Sequence, residues 1–409
     1  MKRMKTTVAV LLAFVMIFSL AACGSGSSGS GGGGGSSASS GGSGSSGSGS
    51  GSSSSAGSSA GSSSGSSATA GLNIGIVTTS GVDDGNFGQD CYNGILAFIN
   101  DHPDAKVTAI KEPDNSKVND AVAAVIADYD VLVLPGFQFS PAGAIGLSNP
   151  DKKIILVDVY PQDENGEEVE LDNIYAMLFK EEESGFFAGI AAAMESKTGK
   201  VAVVNGIAFP SNVNYQYGFM AGVNYANKYY GTNTQYVELP SYAGTDVTGA
   251  NVGGNYIGDF ADEATGKIVG NALIDQGVDV LFVAAGASGN GVFAAAKEAN
   301  NVWLIGCDVD QYDDGAKGNS NIILTSALKV MNLNVTRQLK AISDGSFKGQ
   351  NAILGADTDS TGYVSASGRQ QLGADTLKKM EEAYGALKEG KIVPPANFNG
   401  LSPTSFTGL

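Results

Sequence analysis

Gly81-Val82-Asp83-Asp84-Gly85-Asn86-Phe87-Gly88-Gln89-Asp90 follows the apolar run Ile74-Gly75-Ile76-Val77 and precedes a helical pattern from Cys91 to Asn100. The apolar run reads as a buried strand. A strand that empties into a Gly- and Asp-rich loop and then a helix is where an α/β sheet holds a ligand. The helix-terminal N–H groups are unpaired there, and the loop lies at the carboxyl end of the sheet. As far as Phe87 this loop adds two carboxylates, an amide and one aromatic ring. N-capping by Asp84 or Asn86 would account for one polar residue, but not for the carboxylates and the ring together. Asp84 and Phe87 are therefore candidate ligand contacts, with Gln89 beside them.

Working outward, apolar strand-like runs alternate with helical patterns, the signature of a parallel sheet with crossover helices. The first series places strands at Ile74–Thr78, Val107–Ile110, Val131–Leu134 and Ile154–Asp158, and a leaving strand at Ile174–Phe179. The second begins with a helix at Glu181–Lys197 and closes with a strand at Trp303–Cys307. Two series of similar size predict two doubly wound lobes facing a cleft, with ligand at the strand carboxyl ends. The expected boundaries are about 72–179 plus 308–348 for the first lobe and about 180–307 plus 349–409 for the second. Three chain crossings form the hinge.

The front of the chain is of another kind. Lys2, Arg3 and Lys5 precede an apolar stretch to Leu20, a secretory signal over residues 1–22. Gly24 to Ala70 is Gly and Ser with a few Ala and one Thr, a composition that cannot bury a core. Its r.m.s. reach is roughly 35–40 Å, so residues 23–70 read as a tether to the domain at 71–409. Losing the three signal cations leaves 21 basic against 41 acidic residues, a net of −20. Such a surface is a poor partner for nucleic acid or an anionic bilayer. Beyond Cys23, only Cys91 and Cys307 remain, with one histidine, His102. That excludes a disulfide framework and argues against a zinc site, while one bridge between the two cysteines stays open.

Four further loops fall at strand carboxyl ends. Pro135-Gly136-Phe137 offers a ring that is either cleft floor or core. Asp158 ends an otherwise apolar strand and either caps a turn or faces the cleft. Ala284 to Gly291 brings glycines, Gly286 among them, that let backbone donors approach a ligand, without a dinucleotide or triphosphate fingerprint. Asp308 emerges from an apolar strand, and Lys329 leads from a strand into a helix pattern. An Asp and a Lys meeting in a cleft suit vicinal hydroxyls, one accepting and the other donating; the alternative is an ion pair pinning the lobes.

The order Leu20-Ala21-Ala22-Cys23 resembles the lipobox of bacterial lipoproteins, in which Cys23 is acylated, for example with palmitate. The domain resembles the basic membrane protein family of substrate-binding lipoproteins, relatives of the purine-nucleoside receptors of ATP-driven importers. The resemblance is carried by Val82-Asp83-Asp84-Gly85-Asn86-Phe87, Leu134-Pro135-Gly136-Phe137 and Ser184-Gly185-Phe186-Phe187-Ala188-Gly189. It continues in Gly218-Phe219-Met220-Ala221-Gly222, Tyr256-Ile257-Gly258-Asp259-Phe260 and Gly306-Cys307-Asp308-Val309-Asp310-Gln311. It implies a type I periplasmic-binding fold. It also implies a base held between Phe87 and Phe260, with Tyr215 in reserve, and a sugar held by Asp308 and Lys329. Gly286 would give a backbone contact, and Asp84 and Asp158 further polar ones. Thr79 and Gly88 stand where the family commonly has Asp and Asn, which bears on base discrimination.

The expectation is a monomeric, lipid-anchored receptor on the outer side of a bacterial cell membrane. It passes a nucleoside, most simply a purine one, to an ABC permease, with no cofactor, no metal and no nucleic acid. The competing readings are capture of another flat heteroaromatic such as riboflavin, a sensory or surface role, and a nucleoside hydrolase with an Asp base. The last lacks a metal cluster or nucleophile elbow in the sequence.

Overall fold

The computed structural model describes residues 71–83, 85, 87–396 and 400–409. The leader, Cys23, the tether and Asp84 lie outside the described residues. The chain runs β1 (Asn73–Thr78), α1 (Phe87–Asp101), β2 (Lys106–Lys111), α2 (Val118–Val125), β3 (Val131–Pro135), α3 (Ala142–Ser148), β4 (Lys153–Val157) and β5 (Ile174–Phe179). It continues through α4 (Glu181–Glu195), β6 (Lys200–Asn205), α5 (Pro210–Tyr229) and β7 (Gln235–Tyr236). A hairpin of β8 (Gly244–Thr245) and β9 (Asn251–Gly253) leads to α6 (Glu263–Asp275), β10 (Val280–Ala284), α7 (Gly289–Glu298) and β11 (Trp303–Asp308). After a small hairpin, β12 (Ala316–Lys317) and β13 (Ser320–Asn321), come β14 (Ile323–Lys329) and α8 (Met331–Asp344). The last elements are β15 (Gln350–Leu354), β16 (Thr361–Tyr363) and α9 (Ala374–Lys388).

Two six-stranded sheets result, ordered β15-β5-β4-β3-β1-β2 and β16-β14-β11-β10-β6-β7. All pairings within them are parallel except β14 with β16. Every residue of β3 and β10 is buried, because helices cover both faces. Alternate residues feed opposite layers: Val131 and Val133 pack with Ile74 and Ile76, while Leu132 and Leu134 pack with Val77. This is the two-lobed type I periplasmic-binding architecture. No helix among the described residues is long and apolar enough to cross a membrane.

The first crossing falls at Lys180, where the sequence reading places it, whereas the second and third fall later. The edge of β11 is filled by β14, which pairs in parallel through Leu304↔Ile323 and Asp308↔Leu328, so residues 323–329 belong to the second sheet. β15 instead covers the open edge of β5 in the first sheet. β7 stops at Tyr236, because the Leu239 N–H is taken by the side chain of buried Asn255 (2.7 Å). Cys91 and Cys307 are buried thiols, one in each half of the molecule, and no disulfide joins them.

Three segments cross between the sheets: Lys180, Val330, and the stretch from Gly355 to Ser360. They are tied by hydrogen bonds. Lys180 donates its N–H to the Leu354 carbonyl and Val330 donates to Ser360 (both 2.9 Å). The Glu183 carboxylate accepts from the Ala356 N–H (2.7 Å) and the Thr361 hydroxyl (2.6 Å). The Ser184 hydroxyl donates to the Leu328 carbonyl (2.7 Å) and accepts from the Gly362 N–H (3.0 Å).

α4 and α5 are in direct backbone contact. Gly185 and Gly189 of α4 face the Tyr215 and Phe219 carbonyls, and Gly218 and Gly222 of α5 face those of Glu182 and Phe186. A methyl group at any of the four overlaps a backbone oxygen of the other helix. Gly189→Ala is therefore expected to cost about 1–3 kcal/mol by forcing the helices apart. Gly385, exposed inside α9 with open space around it, is the control: Gly385→Ala should gain about 0.5–1 kcal/mol. Urea unfolding midpoints moving in opposite directions would bear this out; equal shifts would refute the close-contact account.

Candidate functional site

The chemistry converges at the carboxyl ends of both sheets. Asp158 directly follows β4 and Asp308 ends β11, and both hold left-handed backbone, with φ of +66° and +65°. Asp tolerates this region better than most residues, yet a non-glycine residue there still costs of order 1 kcal/mol. The same device thus appears at equivalent strand ends in each lobe. It turns two carboxylates toward Lys329, the last residue of β14.

Lys329 is 2% exposed. Its Nζ lies 2.5 Å from Asp158 Oδ2, 3.4 Å from Glu181 Oε1 and 3.8 Å from Asp308 Oδ1. Burial alone would push the ammonium pKa down, but the charges of Asp158, Asp308 and Glu181 together hold it well above the ordinary lysine value. Desolvation acts on the acids in the opposite sense: it raises Asp158 and pushes Glu181 up to about 7. Glu181 Oε2 accepts from the Asn214 amide (3.1 Å), and Asp308 Oδ1 accepts from the Tyr215 hydroxyl (2.7 Å). Asp158 Oδ1 is buried and meets no amine, amide or hydroxyl donor.

Aromatic rings wall the group. The Lys329 ammonium lies 5.0 Å from the Phe87 ring centre, 5.6 Å from Tyr215 and 5.9 Å from Phe179, a cation–π cage in a dry setting. A second aromatic row crosses from one lobe to the other. Phe137, after β3, meets Phe209 at 5.3 Å between ring centres, and Phe209 meets Phe260 at 6.0 Å. The Phe260 ring lies flush on Gly206, where a side chain would collide with it. The Gly286–Ser288 turn fixes that segment, since Ser288 donates its N–H to Phe260 and its hydroxyl to Asp259 (both 3.0 Å).

Of the residues named from sequence, Phe87, Asp158, Tyr215, Asp308 and Lys329 meet in one cluster. Phe260 and Gly286 sit together on the second lobe's face of the cleft. The Gln89 side-chain oxygen accepts the Gly85 N–H (2.9 Å) and so shapes the loop. Asp84 is outside the described residues. Sequence reasoning passed over Glu181, Phe179, Phe209 and Asp90. Glu181 opens the run Glu181-Glu182-Glu183, which reads as acids favoured in any helical first turn. The signal that could have found it is its place just past the carboxyl end of β5. Buried Asp90 accepts the Asn332 N–H (2.9 Å) at the start of α8, joining the Phe87 segment to the chain just beyond Lys329. Burial pushes its carboxyl up to about 6.

An open cavity of about 580 Å³ lies elsewhere, along Leu328, Val330, Thr361, Tyr363 and Tyr384. Of its two carboxylates, Asp359 and Glu381, the first is already paired with Lys388 at 2.9 Å. The buried, convergent groups are at the strand carboxyl ends, and the site is placed there.

Comparison with known proteins identifies the family. The chain is 29% identical to a CD4+ T-cell-stimulating antigen of Listeria monocytogenes, over 78% of this chain and 86% of that one. It is 26% identical to the ABC transporter nucleoside-binding protein BmpA of Lactococcus lactis, over 78% and 87%. Among solved structures, an ABC transporter solute-binding protein from Aeropyrum pernix superimposes with a TM-score of 0.67. It shares 22% identity and covers 80% of this chain and 95% of its own. The family described as ABC transporter substrate-binding protein PnrA-like matches residues 72–245 and 248–385. The chain belongs to that family, Bmp, and is a substrate-binding protein of ABC transporters rather than an enzyme.

Proposed function

We propose that this protein captures a nucleoside, a purine nucleoside first, between its lobes and delivers it to an ABC permease, held outside the cytoplasm by a lipid on Cys23. The observation that carries the reading is the Lys329 cluster. An ammonium with Asp158 and Asp308 about it, one from each lobe, matches a vicinal diol that both donates and accepts. Phe87 on one side and Phe260 on the other supply flat faces for a base, each stacking contact contributing about 1–3 kcal/mol. The nucleoside-binding relative in Lactococcus lactis supports the same ligand class. The excess of carboxylate over ammonium favours a neutral ligand over a phosphorylated one, because like charges in a buried site repel strongly. The Leu20-Ala21-Ala22-Cys23 sequence, the uncharged tether and the net charge of the mature chain support attachment through lipid alone. The protein works as a monomer.

Isothermal titration with adenosine, guanosine, inosine, uridine and riboflavin tests the ligand. Saturable binding of a nucleoside is expected, and silence from all five removes both the nucleoside and the flavin readings. Phe87→Ala and Phe260→Ala are each expected to weaken binding by more than about tenfold; an unchanged affinity in either would displace the base from between the two rings. Lys329→Met tests the ammonium's part in stability. Three carboxylates then lose their counter-charge, at a cost of about 3–5 kcal/mol at neutral pH. Because burial raises Asp158 and Glu181, acid neutralises them and the deficit should shrink as pH falls through about 7 toward 5. Urea unfolding of wild type and variant at both pH values measures it. A deficit that does not change with pH would deny the charge origin.

A further inference from the structure

The contact between Phe137 and Phe209 stands apart from the Lys329 cluster. Among the described residues it is the one aromatic ring pair that joins the two lobes. Phe137 packs against the first lobe's core cluster that holds Val77, Leu134 and Phe139. Phe209 precedes α5 in the second lobe, with Phe260 beside it at 6.0 Å. The Phe137 and Phe209 rings are 5.3 Å apart between centres and tilted by 35°, within the range where aromatic pairs attract. Both rings are half-buried.

Each ring is held by backbone with little freedom. Gly136, with φ of +126°, donates its N–H to the Val157 carbonyl (2.9 Å) and turns the chain into Phe137. The Asn119 amide donates to the Gln138 carbonyl (3.1 Å) and fixes the same turn. In the other lobe Pro210 is the first residue of α5, and a proline keeps the residue before it extended. Phe209 accordingly has φ of −71° and ψ of 160°. Its carbonyl accepts the Val213 N–H (3.0 Å).

Sheet order decides what the contact does. The crossings connect β5 and β15 of the first sheet with the second sheet's side of the molecule, where they meet β14 and β16. Phe137 follows β3, two strands from β5, which is about 10 Å at ~4.8 Å per strand. Phe209 follows β6, three strands from β14, or about 14 Å. Asp158 and Lys329 lie much nearer, after β4 beside β5 and at the end of β14 itself. Rotation about the crossings separates groups in proportion to their distance from them. A ring contact loses a quarter to a half of its attraction over a gap of about 0.5–1 Å, whereas an ion pair weakens only as the inverse of distance. The aromatic pair is therefore the first contact to be paid out as the lobes part.

We propose that Phe209 is a positioning residue for capture: its ring rests on Phe137 of the other lobe, latches the side of the cleft remote from the crossings, and slows ligand release. The proposal rests on the reading that ligand lies between the lobes. Both partners are side chains of the protein, so the contact itself needs no ligand atom. Phe260, the ring assigned to the base, touches Phe209, so latch and base share one aromatic neighbour.

Stopped-flow kinetics with inosine test this on the full chain. Phe209→Ala and Phe137→Ala should each speed release about two- to tenfold, the span that one aromatic pair controls, without slowing association. The double variant should release within about twofold of either single one, because the contact is lost only once. Phe209→Tyr keeps the ring and should release at close to the wild-type rate. Effects that multiply in the double variant, as two rings acting separately would give, overturn the latch; so does weakening through slower association alone. If inosine does not bind, the nucleoside assignment falls and the latch is decided without ligand. Phe209→Trp adds one indole to the native Trp303, and adding Phe137→Ala to that variant should shift its emission to the red. An unchanged spectrum would in that case overturn the latch.

Discussion

A buried ammonium cannot exist without nearby acids, and here that requirement organises the molecule. Stripping Lys329 of water costs several kcal/mol, and only well-placed charges and hydrogen bonds return it. The returning groups come from different parts of the chain: Asp158 from the end of β4, Asp308 from the end of β11, and Glu181 from the first turn of α4. Lys329 itself is the last residue before a crossing between sheets, and Glu181 is the first after another. The charge cluster and the connection between lobes are therefore one piece of structure. The left-handed backbone at Asp158 and Asp308 is strain held in place by the same attraction.

The helix pair α4–α5 sets the dimensions of that cluster. Glycines at 185, 189, 218 and 222 allow backbone-to-backbone approach, and the residues beside them are the ones the site uses. Ser184 and Glu183, next to Gly185, tie the crossings together. Asn214 and Tyr215, one turn before Gly218, reach Glu181 and Asp308. Were the helices a side chain further apart, Asn214 would no longer meet Glu181 at 3.1 Å. A spacing of small residues in sequence thus becomes a distance between functional groups.

How much of this is legible in the sequence depends on the kind of information each residue carries. β1, β3, β4 and β10 are legible because buried parallel strands are continuous apolar runs, and Asp158, Asp308 and Lys329 because each is a charge at the end of one. Glu181 is hidden by its context, since an acid in a helical first turn has an ordinary explanation that local pattern cannot exclude. Phe209 is hidden likewise, as one more apolar residue before Pro210. The assignment of β14 and β15 to their sheets is not local at all. It depends on which sheet edge remains open, a fact settled only when β11 and β5 are already in place. Strand type is written in continuous apolar runs, whereas partner choice is a competition between edges.

The placement of the charges also constrains what a ligand can do to the protein. A ligand shifts a conformational equilibrium only by as much as its affinity differs between the states. A ligand touching Asp158 alone or Asp308 alone would bind one lobe and leave the relation between lobes unchanged. A ligand that engages both, with Lys329 between them, makes contacts that exist together only when the two lobes meet. Its binding free energy is then differential by construction. Because Lys329 and Glu181 flank two of the three crossings, that energy is delivered at the segments through which the lobes are joined, with no intervening chain of side chains to transmit it.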